Sequence, residues 1–172
     1  MGATNPAATS MTSAFDAVIA SMLEACLACY GPRLVALAVF GSVGRGTARP
    51  TSDIDVLLVV DPLPDGRMAR VREFEAVEAA LAAPLEAARA HGVATEVSPV
   101  FKTPQEILAG SPLLLDMTDD ARVVYDRDRF LARSLDALRA RLSALGARRI
   151  WRGNAWYWDL KPDYRPGEVF EL

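Results

Sequence analysis

Gly41-Ser42-Val43-Gly44-Arg45-Gly46-Thr47-Ala48-Arg49-Pro50-Thr51-Ser52-Asp53-Ile54-Asp55 is the stretch that decides the fold. It follows one short apolar run, Leu34 to Phe40, and leads into a second, Ile54 to Val60, which Asp61-Pro62 bounds. Runs of this length and composition predict buried strands. Side chains on a strand alternate faces, so Asp53 and Asp55 project to the same side while Ile54 and Val56 point the other way. Two carboxylates held that close raise one another's pKa unless a hard cation takes both as oxygen ligands. The pair therefore predicts a site for a divalent metal.

Between the strands, Gly41, Gly44 and Gly46 permit positive φ and close backbone approach, and Ser42 adds a hydroxyl. Backbone N–H groups in such a loop form a cradle for phosphate oxygens. A short helix beginning near Val43 would aim its first N–H groups the same way. Arg45 and Arg49 lie in this loop, where each serves either to neutralise outer phosphates or as a solvated loop charge. Together these features read as a site for a metal-bound nucleoside triphosphate.

Gly-Ser, ten residues, then Asp-x-Asp resembles the signature of the polymerase-beta-type nucleotidyltransferase superfamily. The wider text GSVGRGTARPTSDIDVLLVV is similar to its small bacterial and archaeal minimal nucleotidyltransferase (MNT-like) branch. The resemblance implies that Gly41 and Ser42 hold the triphosphate and that Asp53 and Asp55 bind the metals. The competing reading makes them turn and strand-capping residues of a nucleotide-free domain. Superfamily members supply a third carboxylate from a neighbouring strand, which completes the metal site and helps deprotonate the attacking hydroxyl. Here the candidate is Glu96, within Val93-Ala94-Thr95-Glu96-Val97-Ser98-Pro99-Val100, whose β-branched residues suit a strand. The alternative for Glu96 is a solvent-facing strand residue. Asp116, Asp119 and Asp120 are further carboxylates, of which Asp119-Asp120 reads better as a turn before a Val123-Val124-Tyr125 strand.

With 172 residues the chain is long enough for one well-buried domain and short for two. Hydrophobic residues make up 51% and charged residues 24%, a soluble globular profile. A net charge of −3 excludes a global basic field, so any RNA acceptor needs a local patch. Arg139, Arg141, Arg148, Arg149 and Arg152 form one candidate, against the plainer reading of a solvated helix face with dipole-favoured terminal charges. The opening residues lack an export signal and no run approaches a membrane span, so a cytoplasmic location is expected. Pro6 stands where a myristoylation signal wants Ser or Thr.

Cys26 and Cys29 have no second Cys or His pair to complete a tetrahedral zinc site, and they read as core residues of a helix. His91 is the single histidine and suits a helix C-terminal cap or solvent ahead of Gly92, which argues against histidine-based and serine-triad catalysis.

Residues 1 to 11 read as a disordered tail and 12 to 150 as the catalytic domain. Within it, Ser13 caps a helix to Tyr30, and Gly66 to Ala90 forms a long helix that Pro84 kinks or divides. Thr103-Pro104-Gln105-Glu106 has the pattern of a capped helix start. Leu113 to Met117 is a brief helical or extended segment, and Asp128 to Gly146 carries one apolar stripe of a final helix. Residues 151–172 hold all three tryptophans without regular periodicity and read as an irregular extension packed on the domain. Stacking a base or acceptor on Trp156 or Trp158 is the functional alternative to packing.

The expected architecture is α/β (α+β): a mixed twisted sheet backed by helices, the nucleotidyltransferase fold. The expected reaction is metal-dependent transfer of an NMP, by default AMP from ATP with Mg²⁺ or Mn²⁺, to an acceptor hydroxyl with release of pyrophosphate. Arg45 joins Gly41 and Ser42 as a nucleotide-binding candidate, and Glu96 joins Asp53 and Asp55. The acceptor stays open among protein, RNA and small molecule. The chain has little room for a second, drug-binding domain, which favours a homodimer-built site or a macromolecular acceptor. The branch's pairing with HEPN-type toxins implies a second reading, an antitoxin that transfers AMP to its partner. A third is a catalytically idle binding module, against which the presence of both aspartates with Gly41-Ser42 speaks.

Overall fold

The computed structural model describes residues 6–153 and 155–170. The two apolar runs form adjacent central strands, β1 (Leu34–Phe40) and β2 (Ile54–Val60), joined through a one-turn helix α2 (Gly41–Gly44). A long helix α1 (Pro6–Tyr30) precedes them, and α3 (Arg67–Ala90) follows as the crossover to β3 (Val97–Lys102). Then come α4 (Pro104–Leu108), α5 (Pro112–Asp120), β4 (Arg122–Asp126), α6 (Phe130–Ala144), β5 (Arg148–Arg152) and β6 (Ala155–Asp159).

The main sheet has the order β3-β2-β1-β4. Strand β1 runs antiparallel to β2 and to β4, whereas β2 runs parallel to β3. A parallel neighbour needs a long connection, and α3 supplies it. The sheet is thus mixed and backed by helices, as expected.

Both faces of the two central strands are covered, which explains their unbroken hydrophobicity. On one face Leu37, Val39, Ile54, Val56 and Leu58 pack against Val18, Ile19 and Met22 of α1 and Phe74, Val77 and Leu81 of α3. On the other, Val35, Ala36, Ala38, Leu57 and Val59 meet Ile107, Leu114, Met117, Leu131 and Leu135 of α4, α5 and α6. The β2 alternation therefore sends Asp53 and Asp55 toward the α4–α6 face. Burial of each large apolar side chain contributes roughly 1.5–3 kcal/mol.

Several boundaries differ from expectation. Helix α1 already includes residues 6 to 11, so the tail reading fails there, and residues 1–5 lie outside the described residues. Phe15, Val18, Ile19, Met22, Cys26 and Tyr30 recur at helical spacing and are buried, which anchors the helix downstream. The segment Ser10–Arg33 is also long and apolar enough, by length and composition, to cross a membrane, contrary to the reading that no run approaches a span. Helix α3 continues through Pro84 without division. Strand β3 starts only at Val97, because Thr95 and Ala94 spend their hydrogen bonds on the loop before β2. The Thr103 capping box is present in full: its hydroxyl accepts from the Glu106 N–H at 3.1 Å and its N–H donates to Glu106 at 2.7 Å.

The largest correction is at the C-terminus. Strands β5 and β6 pair as an antiparallel hairpin, with Arg149 opposite Trp158 and Trp151 opposite Trp156, rather than irregular chain. It packs against α5, whose last residues, Asp119 and Asp120, are helical and not a turn.

Candidate active site

Strand register builds the site. Phe40, the last residue of β1, pairs with Asp55, so the chain leaves β1 directly beside that carboxylate. It turns at Gly41, whose φ is +66°, a left-handed conformation that favours glycine. An ideal Cβ at this position would lie 2.2 Å from Asp55 Oδ2. Only a hydrogen fits there. Gly44 is confined on its other side, since a Cβ would fall 2.6 Å from the Asp120 carbonyl oxygen and 2.8 Å from that of Val39. The loop closes with N–H donations from Arg45 to the Gly41 carbonyl (3.1 Å), Gly46 to Val43 (3.1 Å) and Thr47 to Ser42 (2.9 Å). The first N–H groups of a helical turn have no intrahelical acceptor, so those of α2 are candidate donors to an anion.

Asp53 is exposed and Asp55 half-buried. Burial pushes the Asp55 carboxyl pKa up, the charge of Asp53 adds to the rise, and Arg45 offsets part of it. Two oxygen ligands in mutual repulsion suit a hard divalent cation, which would relieve both causes. Glu96 is exposed, and its carbonyl accepts the Ile54 N–H at 2.8 Å, which ties its backbone to the start of β2. It lines one cleft of about 680 Å³ together with Asp53, Ser98, Arg70 and Lys102. No three carboxylate, imidazole or thiolate groups converge on a metal position among the described residues. The structure therefore sets Asp53 beside Asp55 and places Glu96 on the cleft that Asp53 lines, outside a three-carboxylate cluster.

Of the loop arginines, Arg49 is exposed. Arg45 instead donates from Nη1 to Asp120 Oδ2 at 3.1 Å, and its guanidinium lies 4.7 Å from the Trp156 ring centroid. Asp120 is buried and also receives Arg149, from Nη1 at 3.1 Å and from Nη2 at 3.2 Å. Both Trp156 and Trp158 donate their indole N–H to Asp116 Oδ1, at 2.8 and 2.9 Å. Asp116 and Asp120 thus anchor the hairpin beside the glycine loop, a role sequence reasoning missed. Their spacing of four on one helix was the available signal. The arginine patch is internally engaged: Arg149 on α5, Arg148 with Asp159, Arg139 with Asp136 and the Thr118 carbonyl, and Arg152 over Tyr157.

Residues 21–107, which span the glycine loop, both aspartates and Glu96, match the profile of the nucleotidyltransferase domain family. The chain belongs to this family. As a nucleotidyltransferase it is 27% identical over 124 residues to a protein of Methanocaldococcus jannaschii named "Putative protein adenylyltransferase MJ1305", covering 71% of this chain and 79% of that one. Among solved structures, a toxin–antitoxin complex with AMP-PNP is 18% identical, with 73% and 90% of the two chains covered and a TM-score of 0.45. The toxin–antitoxin MntA-HepT is 14% identical, with 74% and 92% covered and a TM-score of 0.42.

Proposed function

We propose that this nucleotidyltransferase moves AMP from ATP to a hydroxyl of a protein acceptor, with Mg²⁺ or Mn²⁺ held by Asp53 and Asp55. The observation that carries the reading is the hydrogen-sized space between Gly41 and the Asp55 carboxylate, which puts a phosphate-cradling loop and a paired-carboxylate cation site in contact. The name of the M. jannaschii relative supports a protein acceptor.

In this reading the N–H groups of α2 and the Ser42 hydroxyl bind the β- and γ-phosphates. The bound cation would screen charge on the α-phosphate and on the departing oxygen. The acceptor oxygen forms a bond to the α-phosphorus as the bond to the bridging oxygen breaks, and pyrophosphate leaves. Glu96, exposed on the cleft, takes the acceptor's proton directly or through water. Asp55 and Asp53 would hold the cation against the phosphates, so the protein's main contribution is preorganised charge.

The test is transfer of label from α-labelled ATP with Mg²⁺ into host-cell extract, beside an Asp53→Ala/Asp55→Ala protein. The reading expects protease-sensitive, nuclease-resistant label that depends on both aspartates. A co-purified HEPN-type helical partner that takes the label would make the chain an antitoxin as well. Nuclease-sensitive label, or label on a small molecule, would overturn the protein acceptor.

A further inference from the structure

The family match ends at residue 107, yet the loop that begins at Gly41 is gripped by residues that lie beyond it. Asp120 reaches the loop twice: its backbone carbonyl fills the space beside Gly44, and its carboxylate holds Arg45. Trp156, from the hairpin, presents its ring to the same guanidinium at 4.7 Å. Arg149 in turn neutralises Asp120 and lies 5.2 Å from the Trp156 ring centroid.

Arg45 is engaged through Nη1 alone, which leaves its Nε and Nη2 donors without a protein partner among the described residues. A guanidinium clamped on one edge and one face, with its other donors free, is preorganised for an anion beside α2. We infer that the C-terminal hairpin is part of the nucleotide site, with Trp156 and Asp120 as positioning residues that hold Arg45 ready for the triphosphate.

The inference rests on the nucleotide-binding reading above, and it makes the sequence-level choice for Arg45 a phosphate contact rather than a solvated charge. It also assigns Trp156 a role through Arg45, distinct from stacking on a base. A lysine at 45 would lose both the planar contact with the ring and the second pair of donors that faces away from Asp120.

The experiment is a double-mutant cycle read as the Kd of AMP-PNP with Mg²⁺, and as KM against kcat for ATP in the transfer assay. Arg45→Ala removes a charge-assisted phosphate contact and is expected to weaken binding by about tenfold or more. Trp156→Leu keeps apolar bulk but lacks the π face, and is expected to weaken binding by about threefold, in KM more than in kcat. In the Arg45→Ala background Trp156→Leu should add nothing, and Trp156→Phe alone should recover most of the affinity. Equal effects of Trp156→Leu in both backgrounds, or no effect in either, would overturn the inference and leave the nucleotide-binding reading standing. Wild-type protein that binds no AMP-PNP would overturn both. If Trp156→Leu gives no folded protein, the same cycle runs with Asp120→Asn against Arg45→Ala, where equal effects of Asp120→Asn in both backgrounds again overturn the positioning role.

Discussion

Gly41 and Asp55 share one space: the carboxylate oxygen of Asp55 occupies the volume in which any side chain at residue 41 would begin, 2.2 Å from an ideal Cβ. The antiparallel pairing of Phe40 with Asp55 fixes that contact. The turn that starts the glycine loop is therefore packed directly against the Asp55 carboxylate.

Gly41→Ala should thus displace Asp55 as well as strain the turn, whose φ of +66° costs a residue with a Cβ about 1–2 kcal/mol. A shift of the reacting groups by about 1 Å is worth on the order of 100-fold. Transfer activity should fall by at least that factor while circular dichroism stays native. Near-normal kcat/KM in Gly41→Ala would show that the contact has no part in the site.

Asp55→Asn separates stability from activity. Burial, and then the charge of Asp53, hold the Asp55 pKa above its unfolded value. In the window between those values the folded chain binds more protons, so this group's contribution to stability is greatest at acid pH and is lost as pH rises through the folded pKa. With a chelator present, Asp55→Asn should raise Tm at pH 7, do so less at pH 4, and abolish transfer. Adding Mg²⁺ and nucleotide should raise the wild-type Tm alone, since a ligand stabilises only the form that binds it. A lower Tm for the variant at pH 7 would contradict the electrostatic account of the pair.

Glu96→Gln tests the proton-accepting role. Removing a general base costs about 100-fold or more in rate. The variant should lose kcat by that order while its Kd for AMP-PNP with Mg²⁺ stays within about twofold, a difference worth under 0.5 kcal/mol. Loss of nucleotide affinity in parallel with kcat would instead make Glu96 a cation ligand.

Thr103→Ala removes one half of the capping box at α4, the helix whose Ile107 lies under the α4–α6 face. Caps of this kind contribute about 1 kcal/mol. Tm should fall by about 2–4 °C for a chain of this size, with kcat unchanged. Glu106 also pairs with Arg70 at 2.9 Å, which holds its carboxyl below the usual range. Its contribution is present at neutral pH and is lost as pH falls through that lowered pKa; Thr103→Ala leaves the carboxylate's bonds to the Thr103 N–H and to Arg70 in place, so both proteins should lose stability in acid alike and the Thr103→Ala deficit should not change with pH.

The elements that carry the site were legible because their signals are local. Leu34 to Phe40 and Ile54 to Val60 are too apolar for a half-exposed strand, and the spacing of Asp53 and Asp55 fixes their shared face. Thr103 and Glu106 announce a helix start within four residues. Arg45 could not be settled from sequence, because its partners, Asp120 and Trp156, are distant along the chain and meet it only through tertiary packing. The hairpin was a different kind of miss. Gly153-Asn154 is a two-residue hairpin signal, and Trp156 with Trp158 alternates at strand period, but short strands rich in Arg and Trp do not show the usual apolar alternation. Its stability comes from Asp116 and Asp120 on α5, which no local pattern reveals.

The most direct test of the account is a side-by-side reaction with α-labelled and γ-labelled ATP, Mg²⁺ and host-cell extract, with pyrophosphate measured alongside. Label from the α position alone on a protein acceptor, matched by pyrophosphate and absent with Asp53→Ala/Asp55→Ala, is the predicted result. Transfer of the γ label, or no transfer from any nucleoside triphosphate by a protein that also fails to bind one with Mg²⁺, would contradict it.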